Sequence, residues 1–278
     1  MRLLVTEERK EFCFVNELPT LGFIGTGEIT SALVTGFCER AGAPAYPIIV
    51  SPRGAENAAR LKASYPERVA VARSNQEVLD NSEYIILAML PEKGEEICRQ
   101  LHFRPMHKVI NLMCDRALTE IQSWIGDTAE LVHLVPSTFN AFYDGPVILC
   151  PYQKEIAEIF GTIGVIVSVE ERRQAGVLAS ITACMLSFFT LQDHLVQWAK
   201  TQGVSGNLAA QFTEKFFQAL CAQAAGASEE ELHTLATVTT PGGVNYRVKD
   251  AIEGTGGFQC WAEPLNEVLE RLVPDEIC

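Results

Sequence analysis

The segment LGFIGTGEITSAL, residues 21–33, decides the fold of this chain of 278 residues. An apolar run ends at Gly25, a second glycine follows at Gly27, and a helix-like stretch begins at Glu28. Two glycines between a strand and a helix permit a tight turn. They also let backbone N–H groups approach a pyrophosphate at the helix N-terminus. A lone Gly-x-Gly also suits an ordinary structural turn. The strand before it and the helix after it point to dinucleotide binding by Gly25, Thr26, Gly27, Glu28 and Ile29. The third position of the pattern is Thr30, larger than the usual Gly or Ala. Glu28 stands near the place of the phosphates, and its carboxylate repels them unless it turns to solvent.

Outward from this turn, short β-rich runs alternate with helix-like segments. The runs are LGFIG (21–25), YPIIVS (46–51), EYIILAML (83–90), HKVINLM (107–113), ELVHLVP (130–136), GPVILC (145–150) and GVIVSV (164–169). Most are continuously apolar, as in strands of a parallel sheet covered on both faces. Helical stretches are expected at 28–40, 54–63, 93–101, 117–124 and 152–160. The alternation predicts an open, doubly wound α/β Rossmann-type domain over residues 1–169. Residues 1–20 form an N-terminal extension in which FCFV (12–15) is a candidate edge strand.

Beyond the boundary near Val169 the β-runs stop, and residues 170–278 read as an all-helical domain. One long helix is expected over 171–203, closed by Gly203, and another over 205–226. SEEELHTLA (228–236) opens with a capping-box pattern, Ser228 and Glu231.

The second strand bears on the choice of cofactor. NAD binding calls for an acidic residue at its end; Ser51, Pro52 and Arg53 stand there instead. Arginine makes charge-assisted contacts to phosphate and serine donates one more, so NADP is favoured, with NAD the alternative. An exposed arginine opening a helix is the plainer account of Arg53.

A net charge of −13 argues against a sequence-independent grip on nucleic acid or an anionic membrane. Unbroken apolar runs such as YIILAML (84–90) are too short to span a bilayer, and the N-terminus lacks a secretory pattern. The nine cysteines show no CxxC pair and no Cys/His cluster at zinc spacing. The expectation is a reduced, cytoplasmic, metal-free protein.

Late in the chain, TTPGGVNYRVKDAIE (239–253) places a Pro-Gly-Gly break among helices. Together with GFIGTGEITSALVTGF (22–37), SNQEVLDNSEYIILAMLPE (74–92), VHLVPSTFNAFYDGP (132–146) and GTGGFQCWAEPLNEVLERL (254–272), it resembles the pyrroline-5-carboxylate reductase family. Members reduce a cyclic imine to proline with NAD(P)H. The resemblance runs from about Leu21 to Leu272. It implies a Rossmann domain followed by a helical dimerisation domain, a homodimer or a larger ring, and a substrate that enters between the domains. It adds Asn75, Ala88, Met89, Leu90, Pro91, Leu112, Met113 and Cys114 to the expected cofactor contacts. Substrate binding is expected at Thr239, Thr240, Gly242, Gly243, Val244 and Asn245, with Asn245, Thr240 and Tyr246 as candidate catalytic residues.

The departures from the family pattern fall around the expected site. Leu90 stands for the lysine of a Val-Lys-Pro segment, His133 for an arginine and Ser137 for an asparagine. TACML (182–186) replaces a run of small residues, and Asn245 replaces the threonine that contacts the imine nitrogen. An asparagine amide donates hydrogen bonds but is a poor acid at neutral pH. The reading is therefore an NADP-dependent reductase of a C=N bond in a small, often cyclic, metabolite. A genuine pyrroline-5-carboxylate reductase of proline biosynthesis is one alternative, and a catalytically silent NADP-binding regulatory protein the other. His133 with Ser137 could form a catalytic pair, but a strand-end histidine in a polar cleft is the simpler account. Packing likewise accounts for Trp198 and Trp261.

Overall fold

A computed structural model describes residues 3–5, 12–14, 18–128, 130–142, 145–240 and 242–274. The chain divides into two compact units. One comprises residues 1–179 and 269–278, the other residues 180–268.

The α/β unit carries an eight-stranded sheet. Its strands are β3 (Leu21–Ile24), β4 (Ile48–Val50), β5 (Val69–Val71), β6 (Tyr84–Leu87), β7 (Lys108–Asn111), β8 (Glu130–Val135), β9 (Pro146–Cys150) and β10 (Val165–Ser168). Their spatial order is β10-β9-β8-β7-β6-β3-β4-β5. From β5 to β8 all neighbours are parallel; β9 runs antiparallel to β8, and β10 runs parallel to β9. The order reverses at β3, which lies between β4 and β6, and ligands of open α/β sheets bind at such a switch point. The first strands, β1 (Leu3–Val5) and β2 (Phe12–Phe14), pair with each other in a separate antiparallel sheet. The expected edge strand at 12–15 therefore does not extend the main sheet.

Helices α1 (Glu28–Glu39), α2 (Ala55–Ser64), α3 (Asn75–Asp80), α4 (Pro91–Cys98), α5 (Leu118–Ile125) and α6 (Lys154–Phe160) connect the strands. Side chains on the two faces of the sheet enter separate apolar clusters. Phe23, Phe37 and Phe160 lie in one, and Ile24, Ile85 and Trp124 in the other. The alternation of Phe23 and Ile24 between these clusters follows from the two-residue period of a strand. Burial on both sides is why these strands read as continuous apolar runs.

Helix α7 (Arg172–Ile181) begins in the α/β unit, where Ala175 and Ala179 pack with Ile148 and Cys150 of β9. A methyl on Gly176 would lie 2.3 Å from Val273, so the helix admits the chain's end beside it. Arg172 donates to the Leu272 carbonyl at 3.0 Å. These contacts draw residues 170–179 and 269–274 into the α/β unit, moving the boundary from the expected 169/170 to 179/180.

The helical unit contains α8 (Met185–Thr201), α9 (Gly206–Ala224), α10 (Glu229–Thr237), α11 (Val244–Gly254) and most of α12 (Ala262–Leu272). The expected long helix is interrupted by a 3-10 turn at Thr182–Cys184, within the TACML segment. The stretch Arg172–Thr201 is nevertheless long and apolar enough to cross a membrane by length and composition. Counting only unbroken apolar runs missed this, because scattered polar residues leave the window average high. Ser228 and Glu231 form the expected capping box of α10.

Candidate active site

The turn between β3 and α1 is built around Gly25. Its φ is +101°, and a Cβ there would lie 2.4 Å from the Ala88 carbonyl oxygen. Only glycine fits both constraints. The peptide N–H of Gly25 donates to Ser51 Oγ at 3.0 Å, and Thr26 Oγ1 donates to the Ser51 carbonyl at 2.8 Å. Asn57 Nδ2 donates to the Thr26 carbonyl at 3.2 Å. The first loop is thus held to the strand and helix beside it. Thr30 fits the third position of the glycine pattern because it is buried and its hydroxyl donates to the Gly25 carbonyl at 2.7 Å.

Above this turn lies a cleft of about 440 Å³. It brings together Gly25, Thr26, Gly27, Glu28, Ile29, Arg53, Asn75, Ala88, Met89, Leu90 and Leu112. Gly27 ends the turn with no heavy atom within 4 Å of where a Cβ would sit, so any side chain there would project into open space. Helix α1 has no side-chain cap; its first intrahelical bond in this turn runs from Ser31 N–H to the Gly27 carbonyl. The preceding N–H groups of the first turn have no intrahelical acceptor, and the macrodipole favours an anion there. The glycine cradle and the uncapped helix fit a dinucleotide pyrophosphate, and the absence of an acidic residue beside Arg53 fits a phosphorylated ribose.

Several expected contacts occupy other positions. Ser51 is fully buried with its hydroxyl engaged by the loop, so it braces the turn; of Ser51, Pro52 and Arg53, only Arg53 lines the cleft. Pro91 occupies the first turn of α4 rather than the cleft. Met113 turns into the core against Gly94 and Trp124. The Cys114 thiol lies over the Leu112 carbonyl at 3.5 Å, and burial with Asp115 nearby pushes its pKa up to about 11. That thiol stays protonated at neutral pH. Residues missed from the sequence also line the cleft, among them Gly54 and Lys93. Gly54, with φ of +76°, passes so close to the Thr26 carbonyl that a Cβ would lie 2.3 Å from it. Lys93 carries only a weak sequence signal, a cation in the first turn of a helix at the strand end.

His133 is a buried member of β8 and not a residue of a polar cleft. Met113 N–H donates to Asn111 Oδ1 at 3.0 Å, which turns Asn111 Nδ2 toward His133 Nδ1 at 2.9 Å. Nδ1 therefore accepts, and the neutral ring carries its proton on Nε2. Burial, with the Arg172 guanidinium nearby, lowers the His133 pKa to about 4. Ser137 meanwhile caps the 3-10 helix Thr138–Ala141 through Asn140, so the two do not form a catalytic pair.

In the helical unit the glycine break forms a β-turn. Gly243 N–H donates to the Thr240 carbonyl at 2.9 Å, and Gly242 has φ of +71°. Pro241 lies outside the described residues. Gly243 caps α11 through its backbone alone; no hydroxyl of Thr239 or Thr240 caps the helix. Val244, Asn245 and Tyr246 form the exposed first turn of that helix. Among the described residues no group of three or more His, Cys, Asp or Glu could hold a metal ion.

A switch-point glycine turn under an uncapped helix defines the α/β unit as a Rossmann-type dinucleotide-binding domain. The family described as NADP oxidoreductase, coenzyme F420-dependent, matches residues 20–114. A pyrroline-5-carboxylate reductase of Pseudomonas aeruginosa is 19% identical over 263 residues, which span 91% of this chain and 95% of that protein. The pyrroline-5-carboxylate reductase of Streptococcus pyogenes superposes with a TM-score of 0.78 at 14% identity, covering 92% of this chain and 99% of that one. The Plasmodium falciparum pyrroline carboxylate reductase, solved with NADP bound, gives 0.76 at 15% identity over 91% of this chain and 97% of its own. Over nearly its whole length the chain is thus similar to pyrroline-5-carboxylate reductases in sequence and in fold.

Proposed function

We propose that the protein is an NADP-dependent oxidoreductase that reduces the C=N bond of a small, cyclic imine. The observation that carries this reading is the cleft over Gly25, with Arg53 on its wall and an open helix N-terminus at its floor. The relatives support it: an imine reductase of Aspergillus terreus was solved with NADPH4 and a dibenzazepine, at a TM-score of 0.53 and 14% identity. NADPH supplies the hydride when bound. The chain's own part is to orient, to exclude water and to provide a proton donor.

Gly25–Ile29, Arg53, Asn75, Ala88–Leu90 and Leu112 are assigned to the cofactor. Ser51 braces the turn behind that wall, and Pro52, Pro91, Met113 and Cys114 lie outside the cleft lining. In the helical unit, Thr239, Thr240, Gly242, Gly243 and Val244 are assigned to substrate, whose carboxylate would meet the free N–H groups of α11. Asn245 is the hydrogen-bond donor to the imine nitrogen, with the Thr240 hydroxyl and the Tyr246 phenol as the remaining donors. Since an amide is a weak acid, proton delivery through Asn245 requires water or one of these hydroxyls. A bulky TACML segment and Asn245 favour an imine other than pyrroline-5-carboxylate.

The protein acts as a homodimer, or a larger ring of such dimers, through its helical unit. Leu186, Trp198 and Phe212 are 74%, 64% and 70% exposed there. Apolar surface of this extent calls for a covering partner. The absence of nucleic-acid partners accords with the charge of −13, and a cytoplasmic location with the free cysteines among the described residues.

Titration with NADPH while nicotinamide fluorescence is followed tests the cofactor; a flat response removes the reading. Pyrroline-5-carboxylate and a panel of cyclic imines are then offered, and NADPH absorbance is followed. Turnover of other imines above pyrroline-5-carboxylate supports the proposal. Preference for pyrroline-5-carboxylate makes the protein a reductase of proline synthesis, and binding with no turnover makes it a silent NADP-binding protein.

A further inference from the structure

Helix α4 starts at the mouth of the cofactor cleft with Leu90 as its N-cap, and Lys93 N–H donates to the Leu90 carbonyl at 2.9 Å. One turn of helix therefore places Leu90 and Lys93 on the same side, and both line the cleft. The charged residues of that lining are Glu28, Arg53 and Lys93. Glu28 opens α1, at the position where the free N–H groups draw a phosphate. It makes no ion pair among the described residues, so its carboxylate opposes any phosphate held there.

A chain of net charge −13 must offset its own field to hold a polyanionic dinucleotide. Arg53 follows β4, whereas Lys93 follows β6, and the glycine turn after β3 lies between those strands in the sheet. The two cations thus approach the turn from opposite sides. Lys93 has one partner, Glu96 at 3.1 Å, with both side chains more than half exposed (58% and 59%). An exposed helical pair of this kind is worth about 0.3–0.5 kcal/mol, so the ammonium is free to exchange Glu96 for a phosphate. Its flexible stem and point charge suit a phosphate oxygen that Leu90 cannot serve.

We infer that Lys93 is the pyrophosphate-binding cation of this cleft, and that it offsets the repulsion from Glu28 while Arg53 reads the ribose 2′-phosphate. The inference rests on the dinucleotide reading above and assigns its charges residue by residue. It requires that Lys93 contribute to NADPH and NADH alike, because both carry the pyrophosphate. Arg53 must contribute to NADPH alone.

The test is nicotinamide-fluorescence titration of the full chain with NADPH and with NADH. The variants are Lys93→Ala, Lys93→Arg, Arg53→Ala, Glu28→Gln and, as a remote control, Lys154→Ala, each melted by circular dichroism to confirm folding. Lys93→Ala is expected to weaken both cofactors about tenfold with their ratio unchanged, and Lys93→Arg to restore most of that loss. Arg53→Ala is expected to lower the NADPH preference about tenfold or more, and Glu28→Gln to tighten both cofactors a few-fold. Raising the salt from ~0.05 M to ~0.5 M should shrink the Lys93 effect, since partly exposed charges are screened. A Lys93→Ala response equal to that of Lys154→Ala, with wild-type binding intact, overturns this assignment alone. A loss confined to NADPH overturns it too and moves Lys93 to the 2′-phosphate. Absence of saturable wild-type binding overturns the dinucleotide reading and this assignment together.

Discussion

The two units of the chain handle burial in opposite ways. In the α/β unit Phe23, Phe37 and Phe160 are fully buried, and Phe37 meets Phe160 edge-on at 5.4 Å. In the helical unit the aromatic side chains pair along the helices, Phe188 with Phe217 at 5.6 Å and Phe212 with Phe216 at 6.2 Å, yet remain largely open. Among the described residues from 180 to 268, only Ser180, Ala209 and Thr213 are buried. A sheet covered by helices on both faces completes its core within one chain. The helical unit has apolar side chains but no layer over them, so its complement must come from elsewhere. The first arrangement makes a site that one chain can build; the second leaves an apolar surface, the one proposed to meet a second copy.

The largest effect is therefore expected in the helical unit. Trp198, Leu208, Phe212 and Phe216 line one apolar hollow between α8 and α9. Trp198→Glu with Phe212→Glu should convert a dimer to monomers. At about 2 kcal/mol per aromatic buried, four side chains across a two-fold contact cost on the order of 8 kcal/mol. Sedimentation velocity at micromolar concentration reads the change. A double variant that still sediments as a dimer would show that this face is not the covered one.

A smaller but still disabling effect belongs to the α/β unit. Gly25→Ala places a methyl 2.4 Å from the Ala88 carbonyl at a φ of +101° and should cost about 3 kcal/mol of stability, with loss of NADPH binding. Gly27→Ala separates the two roles of the turn. With no atom within 4 Å of its Cβ, it should cost at most about 1 kcal/mol in thermal unfolding and yet weaken NADPH binding. Equal melting losses for the two variants would contradict the distinction between a packed glycine and a glycine that keeps the cleft open.

The same contrast decides how much the sequence disclosed. Strands buried on both faces produce long apolar runs, so LGFI, YIIL and VILC were legible, as were the glycine turn and most helix positions. Val69–Val71 escaped because three residues carry too little pattern to stand out beside a helix. The antiparallel direction of β9 escaped, because strand direction depends on the path of the connection, not on residue type. At the site, Arg53 could be read from its place after a strand. Ser51 could not, since its place in the motif is the same whether its hydroxyl meets a ligand or the Gly25 N–H. Lys93 required the turn of α4 to bring it to the cleft. Helical periodicity in the second unit revealed the helices but not what lies against them.

His133 is one place where the α/β unit falls short of its own standard, for its Nε2 is buried and has no hydrogen-bond partner among the described residues. Its folded pKa is lowered from 6.5 to about 4. Above the higher value both the folded and the unfolded chain hold a neutral ring, and the residue adds no pH dependence. As the pH falls from ~6.5 to ~4, the unfolded chain takes up the proton first, so stability falls with pH across that window. The full effect is about 3 kcal/mol, at about 1.4 kcal/mol per pKa unit. Melting curves of the wild type and of His133→Gln should diverge in slope between these pH values. Parallel curves would mean that the ring titrates as an exposed histidine does.

The smallest expected effect tests whether the α/β unit uses its buried polar groups for itself. Ser51→Ala removes the acceptor of the Gly25 N–H and the neighbour of Thr26 Oγ1 at 3.2 Å, while the Ser51 carbonyl still accepts from Thr26. One net hydrogen bond is worth about 1 kcal/mol, so the melting temperature should drop slightly. The ratio of NADPH to NADH affinity should stay constant, because the hydroxyl points into the turn and not at the ligand. A serine that contacted a 2′-phosphate would give the reverse, a lowered NADPH preference with little change in melting. Comparing the two readouts in one variant therefore distinguishes bracing from recognition, a difference that residue type at that position cannot express.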